Sequence, residues 1–178
     1  NSNGTWIKIG TDIDGEAAGD YSGTSVSLSS DGSVVAIGAY LNDGNGANSG
    51  SVRVYKKMNG TWIQIGADID GEAAGDQLGY SVSLSSDGTV VAIGARNNDG
   101  NGTNSGSVRL YQNSNDTWTQ IGADIDGEAT GDYSGTSVSL SSDGTVVAIG
   151  AAHNDGNGAD SGSVRLYQNT NGTWIQIS

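Results

Sequence analysis

Carboxylates recur at alternate positions in a short, glycine-containing segment that the chain carries three times. The first segment places Asp12, Asp14, Glu16 and Asp20 at relative positions 1, 3, 5 and 9. The same spacing recurs in two further sets, Asp68, Asp70, Glu72 and Asp76, and Asp124, Asp126, Glu128 and Asp132. Because a calcium ion takes about six to eight oxygen ligands from turning loops of this kind, the spacing predicts calcium sites. The alternative is a solvated connector whose acids cap turns and keep the protein soluble.

A second oxygen-rich loop runs from Asn42 to Gly46 and recurs from Asn98 and from Asn154. Its side-chain oxygens make it a second candidate for metal binding. Asn and Gly also suit left-handed backbone conformations, which is a sufficient structural reason for their presence. We favour this structural interpretation of the loop.

Five Asn-X-Ser/Thr sequons are candidates for N-linked glycosylation in a eukaryotic secretory pathway. They begin at Asn3, Asn59, Asn101, Asn115 and Asn171, and all but Asn101 stand three residues before a Trp. The competing interpretation is hairpin chemistry, since Asn-Gly is a strong signal for a tight turn. Asp116 replaces Gly in one of these turns while Thr117 keeps the sequon intact, which favours glycosylation.

Catalytic chemistry finds little support in the sequence. His153 is the only histidine and the chain contains no cysteine, so the sequence offers no recognisable catalytic triad and no set of transition-metal ligands. Nothing in the sequence marks one carboxylate as a general acid and another as a general base. We therefore expect a protein that is not an enzyme. The Trp and Tyr side chains could stack on sugars, but we favour packing between structural units.

Composition excludes several classes of partner. The chain has 178 residues with 30 Gly and no Pro, and 20 acidic against 7 basic residues give a net charge of −13. This charge repels nucleic acid and anionic membranes. The apolar run at residues 34–37 is too short for membrane insertion. Since the chain begins at Asn1 without a charged and apolar leader, we expect a mature secreted protein or a fragment, located outside the cell or at its surface.

An internal repeat organises the whole chain. Trp6, Trp62, Trp118 and Trp174 lie 56 residues apart, and the blocks that begin at Trp62 and Trp118 agree at 45 of 56 positions. The repeat predicts an outer strand at residues 1–9 followed by three units at residues 10–65, 66–121 and 122–178. Differences between the copies fall around loops, for example Tyr40 against Arg96. They reflect drift or a surface that binds partners, and drift is the default.

Each repeat has the pattern of four antiparallel strands. In the first copy the strand segments are residues 25–29, 33–39, 51–55 and 61–65. Asp31-Gly32 and Asn59-Gly60 supply tight turns between them. Residues 33–39 are apolar on both faces, as in a strand buried on both sides. The fold class predicted is all-β, with tandem four-stranded antiparallel blades of β-propeller type; the alternatives are a β-trefoil and a β-solenoid.

Three segments of each copy resemble the FG-GAP repeat of integrin-α-type β-propellers. In the first copy they are residues 22–26, 36–39 and 50–55, and the resemblance covers all three copies. The order of the strands is also similar to that of WD-type blades. The resemblance implies a propeller, and the 1-3-5-9 spacing of acids resembles the calcium loop of that family.

Three blades are too few to close a propeller, which has about four to eight. The chain is therefore part of a longer array, or several chains assemble, and its extra outer strand could be offered to a neighbour. We expect a non-catalytic extracellular structural or adhesion protein that self-associates, as the building block of a surface fibre or of a larger propeller. The alternative is a calcium-dependent, lectin-like propeller that binds glycans or cell-surface proteins.

Overall fold

A computed structural model describes residues 4–178, and all regular structure in that part of the chain is β-strand. No helix with the length and apolarity to cross a membrane occurs among these residues. The strands form three antiparallel sheets, which we call blades 1, 2 and 3 in chain order. The predicted all-β fold of propeller-type blades is thereby confirmed.

Each blade is a meander of four strands that follow one another in the sheet as in the chain. Blade 1 contains β1 (Ser25–Leu28), β2 (Val34–Ala39), β3 (Ser51–Met58) and β4 (Thr61–Gln64). The short strand β5 (Ile69–Asp70) also pairs with β3. Blade 2 contains β6 (Leu78–Leu84), β7 (Val90–Ala95), β8 (Ser107–Ser114), β9 (Thr117–Gln120) and the short β10 (Ile125–Asp126). Blade 3 contains β11 (Ser134–Leu140), β12 (Val146–Ala151), β13 (Ser163–Thr170) and β14 (Thr173–Gln176).

The outer edge of blade 1 extends past β4. Ser51 of β3 pairs with Asp70 and Val52 pairs with Ile69, so β4 and β5 occupy the same edge of β3 in succession. Strand β10 extends blade 2 in the same way. The chain thus leaves blade 1 only after residue 70 and blade 2 only after residue 126. The division into repeat units after residues 65 and 121 remains a prediction.

A serine–aspartate contact forms the turn between the first two strands of every blade. In blade 1, Asp31 accepts hydrogen bonds from the Ser33 amide at 2.9 Å and the Ser29 hydroxyl at 2.8 Å. These donors, the Ser33 amide first, lower the pKa of Asp31 from 3.8 to about 2. The pKa of Asp143 in blade 3 is also lowered to about 2, chiefly by the Ser141 hydroxyl, and that of Asp87 in blade 2 is lowered chiefly by the Ser85 hydroxyl.

The hydrophobic core lies between the blades. Val52 and Val54 of β3 pack against Leu78 of β6 and Ile93 of β7 in one cluster. The interface between blades 2 and 3 repeats this packing, with Val108, Leu110, Val147 and Ile149 in a second cluster. Stacking of whole sheets face to face favours the blade interpretation over the trefoil and the solenoid.

Serine and glycine bring the first strands of successive blades into direct contact. The hydroxyl of Ser25 donates to the carbonyl of Gly79 at 2.7 Å, and Ser81 donates to Gly135 at 2.7 Å. Between them a glycine is required, because a β-carbon at Gly38 would overlap the carbonyl oxygen of Gly79. At Gly38 and Gly79 the backbones of the two blades are therefore in direct contact.

We predict that Gly94→Ala destabilises the chain by about 1–3 kcal/mol, the usual cost of overpacking. A β-carbon there would overlap the Gly135 carbonyl oxygen of blade 3. The matched control is Gly150→Ala, because the β-carbon at that equivalent position meets only the hydroxyl of Ser137 in its own blade. Urea denaturation at a concentration where the chain is monomeric measures both; equal losses of stability would contradict the contact between blades.

The turn aspartates predict a loss of stability in acid. Their pKa values are lower in the folded chain than the usual 3.8, so their contribution is complete above that value and is lost as the pH falls towards about 2. In the triple variant Asp31→Ala, Asp87→Ala, Asp143→Ala, the free energy of unfolding should fall less steeply over this range than in the wild type. Equal slopes in urea titrations would show that these turns do not couple protonation to folding.

Candidate functional site

Blade 2 is covered on both faces, whereas blade 1 exposes one apolar face. On that face Val26 and Leu28 of β1 are 62% and 59% exposed. Their equivalents one repeat later, Val82 and Leu84, are 9% and 7% exposed because blade 1 covers them. We call this uncovered surface of blade 1 the leading face.

Blade 3 exposes the opposite face, which we call the trailing face. Val164 of β13 is 64% exposed, whereas the equivalent Val52 and Val108 are completely buried under the next blade. Ile177 is likewise exposed, although its equivalent Ile65 is buried. The two uncovered faces therefore match the two sides of an interface that the chain already forms twice.

The leading and trailing faces also carry the polar groups that form hydrogen bonds between blades elsewhere in the chain. Ser137 of blade 3 stands where Ser25 and Ser81 stand in the other blades, yet within residues 4–178 its hydroxyl has no carbonyl acceptor on a further blade. At the other end, Gly23 is equivalent to the acceptors Gly79 and Gly135, and the space beside it is open. One end thus presents a free donor and the other a free acceptor.

The first described residues lie beside the outer strand of blade 1. The Trp62 indole N–H donates to the carbonyl of Ile9 at 3.3 Å, as Trp118 donates to Ile65 at 2.9 Å. Residues 4–9 therefore lie where β4 lies relative to blade 2, but no other strands of a preceding blade are present among the described residues. Trp6 is consequently largely exposed.

The fourth acid of each predicted calcium set is a buried structural acceptor. Asp20 accepts hydrogen bonds from the Ala17 amide at 3.1 Å and the Asn42 side-chain amide at 2.9 Å. Asp76 and Asp132 make the same contacts in the other blades, to Asn98 and Asn154 respectively. The two oxygen-rich loops singled out in the sequence therefore bind each other.

The third acid of each set lies near a buried arginine. Glu72 lies 3.6 Å from Arg109, which also donates to the backbone carbonyl of Asp70 at 3.2 Å. Burial raises the pKa of Glu72 against the lowering effect of Arg109, and burial also raises the pKa of Asp70. Equivalent pairs join Glu16 to Arg53 and Glu128 to Arg165 in the other copies. The second acid, Asp14, Asp70 or Asp126, offers its backbone carbonyl to the same arginine.

The first acid of each set binds a side chain in the preceding strand segment. Asp12 pairs with Lys8 at 2.8 Å, and Asp68 and Asp124 each accept a hydrogen bond at 2.6 Å from Gln64 and Gln120. Within residues 4–178, no three acidic or histidine side chains come close enough together to hold a metal ion. In this arrangement the carboxylates do not fit a calcium ion. Calcium binding by this chain stays a prediction.

The sequons differ in their surroundings. Asn59, Asn115 and Asn171 lie exposed in tight turns with φ of 51°, 51° and 53°. Asn101 instead donates its side-chain amide to the carbonyl of Gly127 at 2.9 Å. Asn3 lies outside the described residues. Glycosylation stays a prediction, and the turns themselves explain why Asn occupies three of these positions.

Sequence reasoning missed the residues that join the blades. Ser25, Gly38 and their equivalents look like small residues on a half-buried strand, and a sequence pattern does not show that they contact another blade. The available signal was their recurrence: small residues stand at the same positions of three copies, on strands that are otherwise apolar.

A family model described as FG-GAP repeat matches the chain three times, over residues 11–55, 58–111 and 123–167. No curated protein sequence matches the chain. Among solved structures, hydrazine synthase from Kuenenia stuttgartiensis is similar with a TM-score of 0.53 and 17% identity, over 86% of this chain and 36% of that one. Sqt1 from Saccharomyces cerevisiae is similar with a TM-score of 0.56 and 15% identity, over 88% of this chain and 35% of that one. The chain spans about a third of the length of these structures, and the likeness shows the fold alone.

Because the acids are bound to side chains and backbone of the protein itself, we predict that EDTA leaves the thermal midpoint of unfolding unchanged. Calcium added afterwards should not raise it either. A site filled to about 100 times its Kd would stabilise the fold by about 2.7 kcal/mol, which differential scanning calorimetry detects. A calcium-dependent rise in the midpoint would show that the acids rearrange around the ion.

Proposed function

The chain belongs to the FG-GAP repeat family, and we propose that it is a non-catalytic, extracellular structural protein whose copies assemble head to tail into a larger propeller. In this assembly the trailing face of one copy covers the leading face of the next. The observation that carries the proposal is the exposure of Val26 and Val164, whose equivalents are buried wherever a neighbouring blade is present.

The register of the proposed contact follows from the repeat. The Ser137 hydroxyl of one copy would donate to the Gly23 carbonyl of the next, as Ser81 donates to Gly135 within the chain. The Ser142 amide would donate to the Ser30 carbonyl, as the Ser86 amide donates to Ser142. These contacts add hydrogen bonds to the apolar burial, which is the main driving force for association.

The lengths of the first strands also support this contact. Strands β6 and β11 have seven residues, whereas β1 has four. The difference coincides with bridges from the preceding blade, Gly50 to Leu78 and Gly106 to Ser134. In blade 1 the equivalent residue is Ser22, and in the proposed assembly Gly162 of the neighbouring copy would bridge it.

The outer-strand sequence occurs twice, near each end of the chain, so two segments compete for one position in the proposed assembly. Residues 5–9 and β14 have nearly the same sequence, Thr-Trp-Ile-Lys-Ile and Thr-Trp-Ile-Gln-Ile, and both suit the outer edge of β13. When a second copy docks on the trailing face, its residues 5–9 meet an edge that β14 already occupies. One of the two segments must then lie outside the sheet, and residues 4–9, which are exposed, are the segment that moves at lower cost.

Two copies supply six blades, which lies within the range that closes a propeller. If the rotation from copy to copy does not close a ring, the same contact produces a fibre. The exposed sequons at Asn59, Asn115 and Asn171 support a location outside the cell. An adhesive role would follow from display of many copies at a cell surface.

The test is a pair of substitutions on the two faces. Val26→Asp and Val164→Asp each place an unpaired carboxylate in the proposed contact, which should weaken association at least about 100-fold. Both residues are exposed in the single chain, so folding should be unaffected. Light scattering over a concentration series should give particles of two or more copies for the wild type and single chains for each variant.

Mixing the two variants makes the test directional. The Val26→Asp chain keeps its trailing face and the Val164→Asp chain keeps its leading face, so an equimolar mixture should form pairs and nothing larger. Met58→Asp, at the exposed end of β3, is the control for added charge and should assemble as the wild type does. A wild-type chain that stays single at millimolar concentration, or a mixture that stays single, would overturn the proposal.

A further inference from the structure

Aromatic side chains from successive blades form a row along one edge of the molecule. The rings of Tyr21 and Tyr40 lie 5.9 Å apart, and Tyr40 meets Tyr80 of the next blade edge-on at 5.5 Å. Tyr21 precedes β1, Tyr40 follows β2, and Tyr80 lies within β6. They are among the positions at which the otherwise similar copies differ.

Arg96 continues this row into blade 3. Its guanidinium lies 4.0 Å above the ring of Tyr80 and 6.0 Å from that of Tyr133, and its Nε donates to Gln77 at 3.1 Å. Tyr133 in turn meets the imidazole of His153 edge-on at 5.1 Å. The stacking and the hydrogen bond to Gln77 fix the plane of the guanidinium.

Arg96 is the only arginine in the described part of the chain that lacks a carboxylate partner. Arg53, Arg109 and Arg165 each lie within 3.9 Å of a glutamate. For the terminal nitrogens of Arg96, no hydrogen-bond or ion-pair partner occurs within residues 4–178. In a protein with 20 acidic residues and a net charge of −13, an unpaired guanidinium is a free site for an anion.

A cleft of about 260 Å³ opens beside this guanidinium, lined by Arg96, Tyr133, Thr136 and His153. The Nδ1 of His153 lies 2.8 Å from the Asp160 carboxylate, so its Nε2 is left for a ligand. The cleft therefore combines a fixed cation, a tyrosine ring and hydrogen-bonding nitrogen. Its size suits a single six-membered ring better than a large drug-like molecule, whose pockets reach about 300–1,000 Å³.

The backbone at this edge is unusual for tyrosine. Tyr21 and Tyr133 have φ of 53°, in the left-handed region that Gly and Asn adopt more easily. The ring of Tyr133 is thus held over the cleft despite the local backbone preference.

We propose that this cleft binds a carboxylate-bearing sugar, that is, a hexuronic acid within a glycan. The carboxylate pairs with the two terminal nitrogens of Arg96, the sugar ring lies against Tyr133, and ring hydroxyls reach Nε2 of His153. The site exists once in the chain, because Tyr40 and Ala152 occupy the positions equivalent to Arg96. It does not use the faces through which copies assemble, and it requires no calcium.

The charge of the protein selects this ligand over polyanions. Nucleic acid presents many phosphates, each repelled by the net charge of −13. A sugar with one carboxylate needs one local cation, and at physiological ionic strength the more distant acids are screened beyond about 8 Å. Tyrosine and arginine at the cleft therefore favour a singly charged ring.

The test uses methyl glucuronide and methyl glucoside as matched probes, which differ in the carboxylate alone. Isothermal titration calorimetry should show binding of the glucuronide at least about tenfold tighter than the glucoside, since a hydrogen bond to a charged group contributes about 1.5–3 kcal/mol. Arg96→Gln should remove this preference, and the same change of charge at Lys56, which lies exposed in β3, should preserve it. EDTA should have no effect on the affinity.

A second pair of variants distinguishes loss of the aromatic ring from loss of folding. Tyr133→Asn removes the aromatic ring and suits the left-handed backbone, so the chain should stay folded and lose affinity for both sugars. Tyr21→Asn makes the identical change at the equivalent position of blade 1 and should bind as the wild type does. The proposal is overturned if neither sugar binds at millimolar concentration, if Arg96→Gln binds the glucuronide unchanged, or if N-acetylglutamate amide competes as well as the glucuronide, which would indicate a peptide site.

Discussion

The structure depends on one constraint: a four-stranded blade has two faces, and the apolar side chains on a face can be buried only by another blade. A small sheet on its own exposes too much apolar surface to be stable in water. Blade 2 meets the condition on both sides, so that Val91 and Val108 are completely buried. Blades 1 and 3 each meet it on one side. The stability of the chain and its tendency to associate therefore have the same physical origin.

Close approach of the blades imposes a second condition, which explains the composition. Where the second strand of one blade approaches the first strand of the next, Gly38 and Gly94 have no room for a β-carbon, and Ser25 and Ser81 donate to carbonyls of the neighbouring blade. Further from the first strands, an arginine and a glutamate take over this role, and each arginine also binds a backbone carbonyl. These serines and arginines thus pair with acceptors across the interface, as most buried polar groups do, whereas the buried hydroxyls of Ser51 and Ser107 have no partner among residues 4–178.

The local parts of the fold could be predicted from the sequence because their causes are local. The alternation at Ser25–Leu28, the apolar run at Val34–Ala39 and the Asp31-Gly32 turn appear as strands and turn in the structure. The partners of the acids could not be predicted in this way. Asp20 binds Asn42, which lies 22 residues away, and spacing alone cannot distinguish an acid that caps a loop from one that awaits a metal ion. The contact of Gly38 with the next blade is hidden for the same reason, since it depends on how two sheets stack.

Because the blades are copies of one another, substitutions are restricted at residues between blades and are tolerated in the loops. A substitution at a residue between blades must fit a neighbour that is itself a copy, so a change such as Gly94→Ala meets the backbone of Gly135 in the next blade. In the aromatic row, blades contact each other through side chains rather than backbone, and there the copies hold Tyr40, Arg96 and Ala152 at one position. A chemical feature that occurs once in a repeated molecule can arise only at such positions. Arg96 lies at a position where the three copies differ, and at such a position a repeated protein can acquire a single binding site without losing the contacts that hold its blades together.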